Sequence, residues 1–115
     1  MIAMTVTCTT ANTGYDLLTL LQDAYTAAGL NPDAIQPRAC SITIQYLGGT
    51  DGYIVPNTGA YATTVGDVPD YYGYSFATGG SYWEKVANHN LFALNEIILG
   101  AQTAGDTFAV TVYST

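Results

Sequence analysis

The first nine residues alternate in character: Ile2, Met4, Val6 and Cys8 take one parity, and Ala3, Thr5, Thr7 and Thr9 the other. A period of two with one apolar side marks a half-buried β-strand. The period then lengthens. Leu17, Leu18, Leu20, Leu21, Ala24, Tyr25 and Ala28 recur at helical spacing, which predicts one helix over Gly14–Ala28. Thr13 is its expected N-cap, with Asp16 reaching back in a capping box and placing negative charge where the helix dipole favours it. Gly29 is the expected left-handed residue past the end, and Pro32 prevents continuation.

Beyond Pro37 the pattern predicts strands alone. Cys40, Ile42, Ile44 and Tyr46 alternate with Ser41, Thr43 and Gln45. The turn cluster Gly48–Gly52 leads into Tyr53–Val55, which Pro56 stops. Further strands are expected over Ala60–Val65, Tyr71–Ala77 and Ser81–Ala87. From Leu91 to Leu99 the apolar parity slips across Asn95-Glu96, which predicts a β-bulge. Gly105-Asp106 then turns the chain into Thr107–Tyr113, with Phe108, Val110 and Val112 on one side. One N-terminal strand, one helix and a series of short strands make a mainly β, antiparallel fold. Turn signals at intervals of about 8–12 residues predict a sandwich or barrel, with the helix over a sheet face or one end. No repeat or long linker divides the chain, so residues 1–115 are read as a single domain.

Composition then narrows what such a domain does. Only Arg38 and Lys85 are basic, against nine acidic residues, for a net charge of −7; ten residues are tyrosine. At 10% charged residues, against about a quarter in an average soluble domain, the surface must be largely Thr, Ser, Asn, Gly, Ala and Tyr. Two cations cannot neutralise a phosphate backbone, so no nucleic-acid partner is expected, and an anionic membrane surface is disfavoured for the same reason. No apolar run approaches the roughly 20 residues of a membrane span. The opening Met1–Val6 lacks the basic and long apolar regions of a signal peptide, so the expected site of synthesis is a cytoplasm.

Candidate chemistry is sparse. Cys8 and Cys40 share the parity of their apolar neighbours and read as buried thiols, a disulfide between neighbouring strands being the alternative. No CxxC pair offers a metal site. His89, the sole histidine, lies in Asn88-His89-Asn90, a turn, and no serine sits in a G-x-S-x-G elbow. Asp51, Asp67, Asp70 and Asp106 fall in turns beside Gly or Pro, where Asp caps its own backbone. Convergence of two such loops on calcium is the alternative. Glu84 and Glu96 read as positions on solvated faces, a glycosidase carboxylate pair being the alternative. The expectation is a non-enzyme with no catalytic residues, cofactor or metal. Aromatic residues carry more interest: Tyr71, Tyr72, Tyr74, Phe76, Tyr82 and Trp83 crowd one segment. Tyr72, Tyr74 and Phe76 share a parity and suit a core. Tyr71, Tyr82 and Trp83 are the candidate interface, as a protein anchor or a sugar-stacking platform; internal packing of all of them is the other reading.

The C-terminal two thirds resembles small auxiliary head proteins of tailed bacteriophages, which decorate or cement a capsid. The segments that carry the likeness are Val65-Gly66-Asp67, Tyr72-Gly73-Tyr74-Ser75-Phe76, Thr78-Gly79-Gly80-Ser81-Tyr82, Asn90–Gly100 and Phe108–Val112, within Cys40 to Thr115. The helix near residues 14–28 is a departure from that family's pattern. The resemblance implies a jelly-roll-like β-sandwich in the virion, made in the host cytoplasm and bound to the major capsid protein or other virion proteins. It also implies a homo-oligomer, with a trimer favoured. A charge-poor coat agrees with this, because burying Thr, Asn or Tyr costs less desolvation than burying Lys or Glu. A receptor- or carbohydrate-binding module of the fibre-tip type is the second reading.

Overall fold

The alternating N-terminus forms β1 (Ile2–Thr7), and the computed structural model describes residues 1–49, 51–56, 74–76, 82–87 and 91–114. After β1 come β2 (Tyr15–Asp16), α1 (Leu17–Ala27), β3 (Arg38–Ala39), β4 (Ser41–Tyr46) and β5 (Gly52–Pro56). Then follow β6 (Tyr74–Phe76), β7 (Tyr82–Val86), β8 (Phe92–Ala93), β9 (Ile97–Ala101) and β10 (Thr107–Tyr113). The expected strands over Ala60–Val65 and the first part of Tyr71–Ala77 lie outside the described residues.

Pairing runs inward from the chain ends. β1 pairs with β10, β2 with β9, β4 with β7 and β5 with β6. Contacts of β10 with β4 and of β9 with β5 then join these pairs into two four-stranded sheets, β1-β10-β4-β7 and β2-β9-β5-β6. Every ladder is antiparallel, including the small β3–β8 pair. The radius of gyration, 13.1 Å, is that of a compact chain of this length.

Register explains why the alternation was so regular. In the first sheet Ile2, Val112 and Ile42 form one cross-strand row, Met4, Val110 and Ile44 a second, and Val6, Phe108 and Tyr46 a third. These rows meet Ile54, Ile97 and Leu99 of the second sheet and Leu17, Leu20 and Leu21 of α1 in one core. Full burial of each such aliphatic side chain contributes about 1.5–3 kcal/mol. The strand β9 is buried at all five positions, so it shows no alternation at all.

The helix starts later than expected. Tyr15 and Asp16 are held extended in a ladder with Leu99 and Ile98, so no helix can begin at Gly14. Asp16, not Thr13, is the N-cap: its carboxylate accepts from the Thr19 backbone N–H at 2.9 Å and from the Thr19 hydroxyl at 2.7 Å. The Thr13 hydroxyl donates instead to the Ala11 carbonyl. At the far end Gly29 has φ +76°, and Leu30 N–H donates to Tyr25 O and Gly29 N–H to Thr26 O, a Schellman stop.

One further expectation is corrected. The slip at Asn95-Glu96 is not a bulge within one strand: Leu94–Glu96 forms a 3₁₀ turn that separates β8 from β9, and the two pair with different sheets. The cysteines, expected as buried thiols, do not pair. Both are free, with Cys8 past the Thr7 end of β1 and Cys40 beside Tyr113, at opposite ends of the first sheet. Cys8 is buried; Cys40 is half-buried, with its thiol 3.2 Å from the Tyr113 carbonyl.

Candidate functional site

Three surfaces of the first sheet are worth separating: its two ends and its outer face. At the Thr7 end the structure is self-satisfied. Tyr46 is fully buried, its ring centroid 4.9 Å from that of Phe108, and its hydroxyl donates to the Asp106 carboxylate at 2.6 Å. Asp106 therefore does more than cap its own turn. Its carbonyl also accepts from Cys8 N–H, while Gly105 N–H donates back to Cys8 O. Burial, and then the nearby Asp106 carboxylate, push the Cys8 thiol up to about 12. It is thus protonated near neutral pH and is no nucleophile.

The opposite end is open. Tyr113, Ser41 and Val86 form a cross-strand row on the outer side of β10, β4 and β7. Tyr113 is 43% exposed, Val86 63% and the neighbouring Met1 78%. Both basic side chains of the protein reach this end, although they are far apart in sequence, with Lys85 in register with Ile42 and therefore on the side of β7 opposite Val86. Arg38 Nη1 donates to the Leu91 carbonyl at 3.3 Å, and Lys85 Nζ lies 5.3 Å from the centre of the Phe92 ring. The cations thus hold two consecutive residues, at the edge where β3 pairs with β8. Leu91 is itself exposed.

Between the two ends runs a face that is charged only at its β7 edge, where the exposed Glu84 is in register with Thr43. Ala3, Thr111 and Thr43 form one row, Thr5, Ala109 and Gln45 the next, then Thr7 and Thr107. Strands β1, β10 and β4 contain no charged residue at any position. A groove of about 470 Å³ separates β1 from α1; Thr5 and Thr7 line one wall, Asp23, Ala24 and Ala27 the other. Tyr15 lies at this groove, its hydroxyl accepting from Thr10 N–H at 3.0 Å and 3.1 Å from the Thr9 hydroxyl. These bonds, that to Thr10 foremost, lower its pKa from the usual phenol value.

Of the candidate interface residues, Tyr82 and Trp83 are consecutive in β7, in register with Gln45 and Ile44. Their positions therefore belong to opposite faces of the sheet. Tyr71, His89, Asp67 and Asp70 lie outside the described residues. Glu84 and Glu96 are exposed. Among the described residues no cluster of three or more His, Cys, Asp and Glu side chains could hold a metal, and no helix is long and apolar enough to cross a membrane. Sequence marked Arg38 and Lys85 only as the two basic residues and did not single out Val86 or Tyr113; the β3–β8 ladder and the register of β4 place them at one end of the sheet.

No family model matches this chain, and no curated protein or solved structure is significantly similar to it.

Proposed function

We propose that the chain is a non-enzymatic structural protein of a tailed-phage virion, which decorates or cements the capsid by binding its major protein. The observation that carries this reading is the uncharged run of β1, β10 and β4 with its partly exposed outer face. Covering such a face with protein desolvates hydroxyls and methyls rather than ions, so a large area is buried at small electrostatic cost. We read the architecture as a jelly-roll sandwich. Supporting this is the nested pairing of strands: without the β3–β8 ladder, first pairs with last, second with seventh, third with sixth and fourth with fifth. That is an antiparallel ribbon wrapped on itself, the form shared by many viral coat domains. Self-association, as a trimer in the resembling family, belongs to the same reading.

Lectin domains also use the jelly roll, so a carbohydrate-binding module is the second reading. Co-sedimentation with DNA-free shells, assembled from the capsid protein encoded in the same genome, separates the two. The shell reading expects stoichiometric binding and no sugar-dependent change in Trp83 fluorescence. A genome without a capsid protein, or shells that leave the chain in the supernatant, would contradict it.

A further inference from the structure

We propose that the Arg38–Lys85 end of the first sheet binds a second copy of this chain, head to tail, in the groove between α1 and β1. The inference rests on the assembly reading only in that copies meet, not in what the assembly covers.

The charge distribution selects the occupant. In a chain of net charge −7, both basic side chains converge on Leu91-Phe92, at the end of the sheet where Tyr113, Val86 and Met1 are also exposed, Lys85 on the side of β7 opposite Val86. Aromatic, Met and Arg side chains around exposed aliphatics are the composition of an interface anchor. Arg38 is exposed and gives one N–H to Leu91, while a guanidinium has five to offer. Two copies meeting through this same end would oppose cation to cation, so a two-fold contact is disfavoured. Head-to-tail contact has no such conflict.

The groove offers the complement. Asp23 stands exposed on its wall, and Ala27 and Ala28 place the C-terminal end of α1 there, where the helix dipole is negative. No basic residue lies in the last turn of α1 to neutralise that end. Small side chains, Ala24, Ala27 and Ala28 against Thr5 and Thr7, leave the hollow that a Tyr or Met side chain from the next copy fills. Because the two surfaces differ, the contact repeats from copy to copy and closes a ring if the rotation permits.

Sedimentation velocity and native mass spectrometry of the full chain test this. Wild type should associate at millimolar concentration, more weakly as salt rises. R38E/K85E, which spoils the end, and A27W, which fills the groove, should each weaken association at least about tenfold, with circular dichroism of each variant alone showing that it is folded. Mixed together, they should form a one-to-one dimer and nothing larger, since the mixture holds one intact end facing one intact groove. A monomeric wild type, either variant associating like wild type, or a mixture that stays monomeric would overturn the proposal. Shell binding by a chain that fails here would remove this interface and leave the cementing role standing.

Discussion

The two ends of the first sheet share strands β4 and β10, yet they finish in opposite ways. At one end Tyr46 is sealed among Phe108, Gly48 and Gly52, and its hydroxyl is tied to Asp106. At the other, the row Tyr113–Ser41–Val86 stands open, and the protein's two basic residues reach the same end at Leu91-Phe92. Closed ends fix the register that every strand inherits, whereas open ends are left for something else to cover. Stability and association should therefore map to different ends, and substitutions can pull them apart.

The largest effect on stability is expected at Gly48. A Cβ there would overlap the buried Tyr46 phenol and lie 2.6 Å from the Asp106 carboxyl carbon. The fully buried Tyr46 ring cannot swing aside, so Gly48→Ala should cost about 3 kcal/mol in urea unfolding. A cost below about 0.5 kcal/mol would show that the Tyr46 end is looser than described.

Alkaline pH probes the same end more gently. The Cys8 thiol, raised from its ordinary 9.0 to about 12, keeps its proton in the folded state while the unfolded chain loses it. Above pH 9 the unfolded state binds fewer protons, so this contribution to stability is whole below pH 9 and is lost as pH climbs towards 12. The slope is at most about 1.4 kcal/mol per pH unit. Denaturant melts near neutral pH and near pH ~10 should show a steeper fall for wild type than for Cys8→Ala, which removes this group among the titrating tyrosines. Equal falls would place Cys8 in a wetter setting.

The smallest stability effect belongs to the open end. Val86→Ser should change unfolding free energy by no more than about 0.5 kcal/mol, because the side chain already faces water. A larger loss would mean that Val86 packs within its own chain and is not held for a partner.

How far the sequence could be read follows from the same physics. Strands with one buried face, β1, β4 and β10, announce themselves by alternation, and their inward rows are those the spacing predicts. Helix α1 was legible in its apolar stripe and its Gly29 stop, since both are local signals. Its start was not, because the distant strand β9 claims Tyr15 and Asp16, and a pairing partner leaves no trace in local spacing. The break at Leu94–Glu96 was visible as a lost parity, but a change of sheet and a bulge disturb parity alike. The convergence of Arg38 and Lys85 was invisible for a similar reason: neither has a meaningful neighbour in sequence, and both are positioned by ladders to residues far along the chain. Tyrosine abundance drew attention to Tyr71, Tyr82 and Trp83, while among the described residues the tyrosine that ties the fold together is Tyr46, and Tyr113 is exposed at the open end.

The claim that the open end exists to be covered by protein is tested most directly by hydroxyl-radical footprinting of Met1 and Tyr113, first in the dilute chain and then in the assembled particle. Oxidation at both residues should fall several-fold on assembly. Unchanged oxidation at Met1 and Tyr113, in particles that demonstrably contain the chain, would contradict the account.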